Sequence, residues 1–176
     1  MTSFKHAFHI YDILSGRKKI NKPLEKELIY NFILDLCLGL KEIHNQNLIH
    51  RDLKPENIFL DKNNRLKIGD FGISAILKNT KYATSQVGTY NYMPPELINS
   101  QKYSNKIDIW ALGCIIYELC TLNMCFDAPS IFQLCNKILK ETYDKFNYSD
   151  KELIALLDLL LKKIIKKDLI LNKFIT

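Results

Sequence analysis

Glycine is scarce in this chain of 176 residues, and what its six glycines fail to form is informative. Gly16, Gly39, Gly69, Gly72, Gly88 and Gly113 make no Gly-x-Gly-x-x-Gly, so no glycine-rich turn is present to lay backbone amides along a phosphate chain. The cysteines Cys37, Cys114, Cys120, Cys125 and Cys135 form no Cys-x-x-Cys pair and no His-assisted zinc spacing. Their apolar neighbours point instead to buried, reduced thiols in an intracellular protein. No apolar run is long enough to span a membrane: "IDIWALGCIIYELCTL", 107–122, is too short and carries Asp108 and Glu118. The start, "MTSFKHAFHI", has no apolar signal core and no glycine at position 2 for myristoylation. Arginine is almost missing, with only Arg17, Arg51 and Arg65, so the net charge of +6 is mostly lysine. Those lysines are scattered apart from short clusters at 17–19 and 162–167, and they read as solvated surface. The expectation is a soluble, cytoplasmic or nuclear protein with neither a membrane nor a nucleic-acid partner.

What is present is a chain of helices. Leu28, Ile29, Phe32, Ile33, Leu36, Leu40 and Ile43 recur at helical spacing over 24–45, and Pro23 suits the first turn of that helix. "NIFLD" and "RLKIGD" bracket Asp61-Lys62-Asn63-Asn64 and predict a hairpin. From 70 to 96 the pattern dissolves into Ser, Thr, Asn, Tyr and Gly and ends at Pro94-Pro95, a long loop of the kind kept for function. Ser104 is placed to cap a helix over 105–122 whose apolar residues lie all round, which makes it central. Further helices are predicted near 130–140 and from Ser149-Asp150-Lys151-Glu152 through "LIALLDLLLKK". There is no internal repeat and no low-complexity linker. The fold class expected is mainly α, one domain with a small β-hairpin.

The chemistry concentrates in "HRDLKPEN", 50–57, and "GDFG", 69–72. Asp52 can orient a hydroxyl nucleophile and take its proton, and Lys54 can neutralise phosphate charge. Asn57 offers a neutral oxygen, and Asp70 a carboxylate oxygen, to a hard cation such as Mg²⁺. Gly72 lets the backbone turn sharply after Asp70. The hairpin between the two motifs folds the chain back so that Asn57 and Asp70 can face one ion. Each fragment alone is weak, but their order and separation together are specific.

These motifs, with "PPE" at 94–96 and "DIWALGC" at 108–114, resemble the large-lobe signatures of eukaryotic protein kinases. "NIFL…KIGDFGIS", "VGT.NYM.PEL" and "KIDIWALGCIIYELCTL" resemble more closely the never-in-mitosis-A-related (NEK) serine/threonine kinases. The similarity runs from about 12 to 163, leaving 1–11 and 164–176 as divergent ends. It implies a protein-kinase-like C-terminal lobe that uses ATP and Mg²⁺ and a protein substrate with a Ser or Thr acceptor. By position it makes Asp52 the catalytic base, Lys54 the phosphate contact, Asn57 and Asp70 the magnesium ligands and Phe59 the floor beneath the adenine. His50 and Phe71 become members of the packed spine below the site, and Asp108 the residue that hydrogen-bonds the catalytic-loop backbone.

Several expectations follow from departures. No Val-Ala-Ile-Lys strand precedes the catalytic loop, and "AILK" at 75–78 follows Asp-Phe-Gly. The chain is therefore expected to hold the large-lobe half of a truncated catalytic domain, or alternatively to be an inactive scaffold or decoy. The family's Gly-Thr-Pro-x-Tyr is here Gly88-Thr89-Tyr90-Asn91-Tyr92, with Thr89 kept and the proline lost. Ala75 stands where a basic residue is usual, leaving Arg51 to serve a phosphate on Thr84 or Ser85. Leu169 stands where an arginine normally pairs with the Glu of "PPE", so Glu96 is expected without that partner.

Overall fold

A computed structural model describes residues 8–69, 87–146 and 148–162, without the side chains of 87–89. Asp70, Phe71, Ala75, Thr84, Ser85 and Leu169 lie outside the described residues. The order of elements is β1 (Phe8–His9), α1 (Ile10–Lys19), α2 (Lys26–Asn45), β2 (Ile58–Leu60), β3 (Leu66–Ile68), α3 (Pro95–Ile98), α4 (Lys106–Thr121), α5 (Ile131–Lys140) and α6 (Lys151–Leu160), with 3-10 turns at Pro55–Asn57 and Val87–Tyr92. The fold is mainly helical, as the periodicity predicts. No helix among the described residues is long and apolar enough to cross a membrane.

α4 is the centre. Its buried residues, from Ile107 to Cys120, cover every face of the helix. Each large aliphatic side chain enclosed there contributes about 1.5–3 kcal/mol. α2 packs on it through Ile29, Phe32, Ile33, Leu36, Leu40 and Ile43, a single stripe in a 20-residue helix. α6 packs on another side, and Gly113 permits the approach: a Cβ there would meet Leu161 Cδ2 at 2.9 Å and Leu160 Cβ at 3.0 Å. α5 buries only Leu134 and Ile138, one turn apart.

The caps show why the helices begin where they do. Ser130 Oγ accepts the Gln133 amide at 3.3 Å and starts α5. α6 is capped by Asp150 rather than Ser149: its Oδ1 accepts the Glu152 and Leu153 amides at 3.1 and 3.2 Å. The same carboxylate holds Lys26 Nζ at 2.8 Å and the Tyr30 hydroxyl at 2.6 Å, fastening the start of α2 to the start of α6. α6 ends at Leu160, short of the two lysines that the sequence pattern included. Pro23 lies ahead of the α2 N-cap, Glu25, rather than inside the first turn. At α4 the N-cap is Asn105, while the Ser104 hydroxyl accepts the Lys106 amide at 3.4 Å. All five cysteines are free; Cys114, Cys120 and Cys125 are buried, but Cys37 is exposed on α2, because it falls off the apolar stripe.

The predicted hairpin forms, with Ile58 opposite Ile68, Phe59 opposite Lys67 and Leu60 opposite Leu66. Asp61 builds its turn: Oδ1 accepts the amides of Asn63 at 2.8 Å and Arg65 at 3.0 Å, and Asn64 takes the left-handed φ of 57°. A third strand joins it. β1 pairs antiparallel with β2, setting Phe8 opposite Leu60 and His9 opposite Phe59, and Ile10 just beyond is fully buried.

Candidate active site

The segment 50–57 leaves α2 after a short connection and must follow an unusual path, because Arg51 sits at φ 72°. A non-glycine residue in the left-handed region costs on the order of 1–3 kcal/mol and persists only where its surroundings hold it. Asp108, in the first turn of α4 and 1% exposed, supplies that hold. Its Oδ1 accepts the Arg51 amide at 2.9 Å, and its Oδ2 accepts the His50 amide at 2.9 Å and lies 2.8 Å from His44 Nε2. A buried carboxylate is tolerated when donors converge on it in this way. The His50 ring is buried and reaches Gly69 O at 2.8 Å through Nε2, tying the loop to the far end of the hairpin.

Beyond Arg51, three polar side chains close on one another. Lys54 Nζ donates to Asp52 at 3.0 Å (Oδ1) and 2.9 Å (Oδ2), and Asn57 Nδ2 donates to Asp52 Oδ2 at 3.0 Å and to Asp52 O at 2.7 Å. Pro55 begins the 3-10 turn that brings Asn57 back to Asp52, and the Asn57 amide closes it on Lys54 O at 3.0 Å. Asn57 is buried, and committing its Nδ2 to Asp52 leaves Oδ1 as the remaining acceptor of the side chain. That is the neutral oxygen donor a hard divalent cation takes, so this side chain fits Mg²⁺. The Gly69 amide donates to Asn57 O at 2.9 Å, which sets the end of the hairpin beside Asn57. A small cavity of about 60 Å³ opens here, lined by Asp52, Lys54, Tyr92, Met93, Pro94 and Leu97 among others.

Phe59 is packed from two sides. Its ring lies 4.6 Å from that of His9, the cross-strand partner, and a Cβ on Gly69 would come within 2.4 Å of Phe59 Cε2. Only a glycine fits at 69 without moving the ring. His9 Nδ1 also hydrogen-bonds Glu56 O at 2.6 Å, so the amino-terminal strand touches the segment 50–57 as well as the sheet.

The segment resuming at 87, where the sequence predicts a loop as far as 96 and a 3-10 turn and a short helix are found, forms the opposite wall. Val87–Tyr92 is a 3-10 turn that includes the Thr89 backbone, and α3 follows it after Pro94. The Tyr92 hydroxyl donates to Glu118 Oε2 at 2.6 Å inside the core. Burial pushes the Glu118 carboxyl above the ordinary carboxylate range, with the Tyr92 hydrogen bond opposing, and burial also raises the Tyr92 phenol. Asn91 is buried, and its Nδ2 donates to Phe126 O at 2.7 Å. Glu96 is half-buried in α3 and forms no ion pair among the described residues. The Arg51 guanidinium lies 5.7 Å from the Tyr103 ring centroid.

Three supporting residues escape the motif-based reading. His44 holds Asp108 from the last turn of α2. Asp35, on the buried stripe of α2, receives Arg65 Nε at 2.8 and 3.0 Å and the Leu66 amide at 2.8 Å, so α2 grips the hairpin at the residue that starts β3. The Arg65 hydrogen bonds hold the Asp35 carboxyl below its ordinary value, against the opposing effect of burial. A carboxylate inside an apolar stripe is the signal that could have exposed this pair. Asn91 carries no such signal, because it lies in a polar stretch.

Residues 6–171 match the family described as the protein kinase domain. Serine/threonine-protein kinase Nek1 of Mus musculus is 40% identical over 131 residues, 72% of this chain and 11% of that relative. Human serine/threonine-protein kinase Nek2 is 40% identical over 147 residues, 79% of this chain and 33% of that relative. A probable serine/threonine-protein kinase nek2 of Dictyostelium discoideum is 43% identical over 124 residues, 69% of this chain and 30% of that relative. The chain thus spans a third or less of the length of these relatives. With its mainly helical lobe, its small sheet and these matches, the chain belongs to the protein kinase domain family and is NEK-like within it.

Proposed function

We propose that this chain carries the acceptor-side half of a NEK-like serine/threonine kinase site, transferring the γ-phosphate of ATP to a Ser or Thr hydroxyl. The observation that carries the reading is the grip of Lys54 and Asn57 on Asp52, at the mouth of a cavity and on a strained backbone braced by α4. Asp52 accepts the proton of the attacking hydroxyl as its oxygen bonds to phosphorus and the bond to the departing ADP oxygen breaks. Lys54 meets the negative charge of the transferred group, and Phe59 offers an apolar face to the adenine. Asn57 and Asp70 would hold Mg²⁺, which when bound supplies neutralising charge to the phosphate oxygens. Arg51 would receive a phosphate on Thr84 or Ser85, in a segment that also contains Thr89. His50 and Phe71 support the site from below, while Glu96 stands in the substrate-side segment without the arginine partner usual in the family. Residues 12–163 form the lobe in this reading, with Phe8–His9 and Ile10 of the amino-terminal segment packed onto it and 164–176 beyond it, and the setting is cytoplasmic or nuclear.

The test is phosphate incorporation into dephosphorylated casein by the purified chain with Mg-ATP, beside Asp52→Asn. Turnover that falls at least a hundredfold in the variant, with an unchanged thermal midpoint, supports the reading. Equal turnover in both refutes the assignment of Asp52. A second reading, an inactive kinase-like scaffold, is favoured by one feature. A groove of about 540 Å³ between α2 and β3 is lined by Leu38, Ile43, Leu48, Leu66 and Ile68, with Leu38 and Leu48 exposed. A chain that captures partners through this groove and shows no turnover would match that reading.

A further inference from the structure

The Pro-x pair of the family pattern is Tyr90-Asn91 here, so the backbone before Tyr92 lacks the fixed φ a proline imposes. Something else has to hold it. We propose that Asn91 is a positioning residue for the acceptor peptide, its buried side-chain amide fixing the wall that faces Asp52. The proposal rests on the phosphoryl-transfer reading of that site.

Asn91 is 3% exposed, and its Nδ2 donates to Phe126 O at 2.7 Å. Phe126 is a firm anchor: it is 1% exposed, and its ring stacks on Trp110 of α4 at 5.7 Å between centroids and 9° between planes. The next residue, Tyr92, reaches Glu118 on the same helix. Trp110 and Glu118 lie eight positions apart, roughly 12 Å along the helix axis. Two consecutive side chains therefore fasten the turn at two separate points, Tyr92 on α4 itself and Asn91 on the Phe126 backbone that packs against α4, which restricts its rotation. Immediately beyond, Tyr92, Met93, Pro94 and Leu97 line the cavity shared with Asp52 and Lys54. A turn free to rotate about the Tyr92 anchor would carry this wall with it and misplace any peptide lying between wall and base. The donor on Asn91 thus does by hydrogen bonding what ring closure does in a proline. Tyr90 packs its ring against the core beside it.

The chain contains a single tryptophan, which makes the link visible. Asn91→Leu keeps the approximate size and removes the donor. Three measurements are made on the 176-residue chain: amide exchange over 90–97, Trp110 emission, and affinity for fluorescein-labelled dephosphorylated casein by anisotropy. Mg-ATP affinity by thermal shift serves as the control. Expected are at least tenfold faster exchange over 90–97 with α2 unaffected, altered Trp110 emission, and at least fivefold weaker casein binding with Mg-ATP affinity unchanged. Casein and Mg-ATP affinities falling together would mark a merely structural residue and overturn the proposal. Unchanged exchange and casein affinity, or a wild-type chain that binds no casein, would overturn it too. Should Asn91→Leu fail to fold, Asn91→Asp decides: protection over 90–97, taken against the intrinsic exchange rate at each pH and against the wild type, should return on acidification, when the protonated carboxyl regains a donor, and failure to return refutes it. Absence of turnover in the wild-type chain would remove the proposed activity without touching these binding and exchange results.

Discussion

Asp108→Asn isolates the energetic centre of the segment 50–57. The carboxylate accepts from three donors, Oδ2 from His50 N and His44 Nε2 and Oδ1 from Arg51 N. An amide of the same shape has one acceptor oxygen. If that oxygen serves the two donors at the Oδ2 position, its NH₂ faces the Arg51 amide, donor against donor. A hydrogen bond to a charged group contributes about 1.5–3 kcal/mol, and a buried donor left unmatched costs about 1–3 kcal/mol. Partial relief comes as Arg51 abandons its left-handed conformation, worth on the order of 1–3 kcal/mol. The net expectation is a loss of about 2–4 kcal/mol, read as a lowered urea midpoint at constant m value. It should come with faster amide exchange at 50–52 than in the centre of α4. A loss under about 0.5 kcal/mol, or a larger one that leaves exchange at 50–52 at its wild-type rate, would refute the reasoning.

Asp35 should give a pH signature. Since Arg65 holds the native carboxyl below its ordinary value, its contribution is complete above the unfolded value near 3.9 and vanishes as the pH falls through the native one. Stability of the wild type measured from pH 5 to 2 should therefore converge on that of Asp35→Asn, and parallel curves would contradict it. Gly69→Ala should lower stability by about 1–3 kcal/mol by driving a methyl into the Phe59 ring. Phe59→Leu in the same chain should recover part of that loss, whereas strict additivity in the double-mutant cycle would disprove the contact. Ser130→Ala should destabilise α5 by about 0.5–2 kcal/mol through loss of the cap to Gln133, a change that thermal unfolding resolves.

The helices were legible because their signals are local. α2 announces itself through apolar period, α4 through an apolar run with no polar face, α6 through its capping sequence, and the hairpin through Asp61–Asn64 between two short apolar runs. α1 and β1 were not, since α1 buries only Ile10 and Leu14 and β1 is two residues long, too short for any alternation to register. The shift of the α6 cap from Ser149 to Asp150 has a physical cause as well: Asp150 also binds Lys26 and Tyr30, contacts invisible to a four-residue pattern. At the site, motif spacing picked out Asp52, Lys54 and Asn57, which do lie together. It could not reveal His44, Asp35 with Arg65, or Asn91, whose partners are 30 to 64 residues away in the chain. Asp35 left one trace, as a carboxylate inside the apolar stripe of α2, whereas His44 and Asn91 sit among polar residues and left none.

The link between Asp108 and residues 50–51 also sets a schedule. The loop and its brace are separated by 57 and 58 residues, so on a growing chain the loop exists before anything can hold its strained turn. At the usual pace of synthesis, about 5–20 residues per second, that interval is roughly 3–12 s. Until α4 has been made, the Asp108 carboxylate that accepts the His50 and Arg51 amides is missing. The segment richest in chemistry thus waits for a later one to be braced, and a product terminated before α4 would carry its letters without that brace.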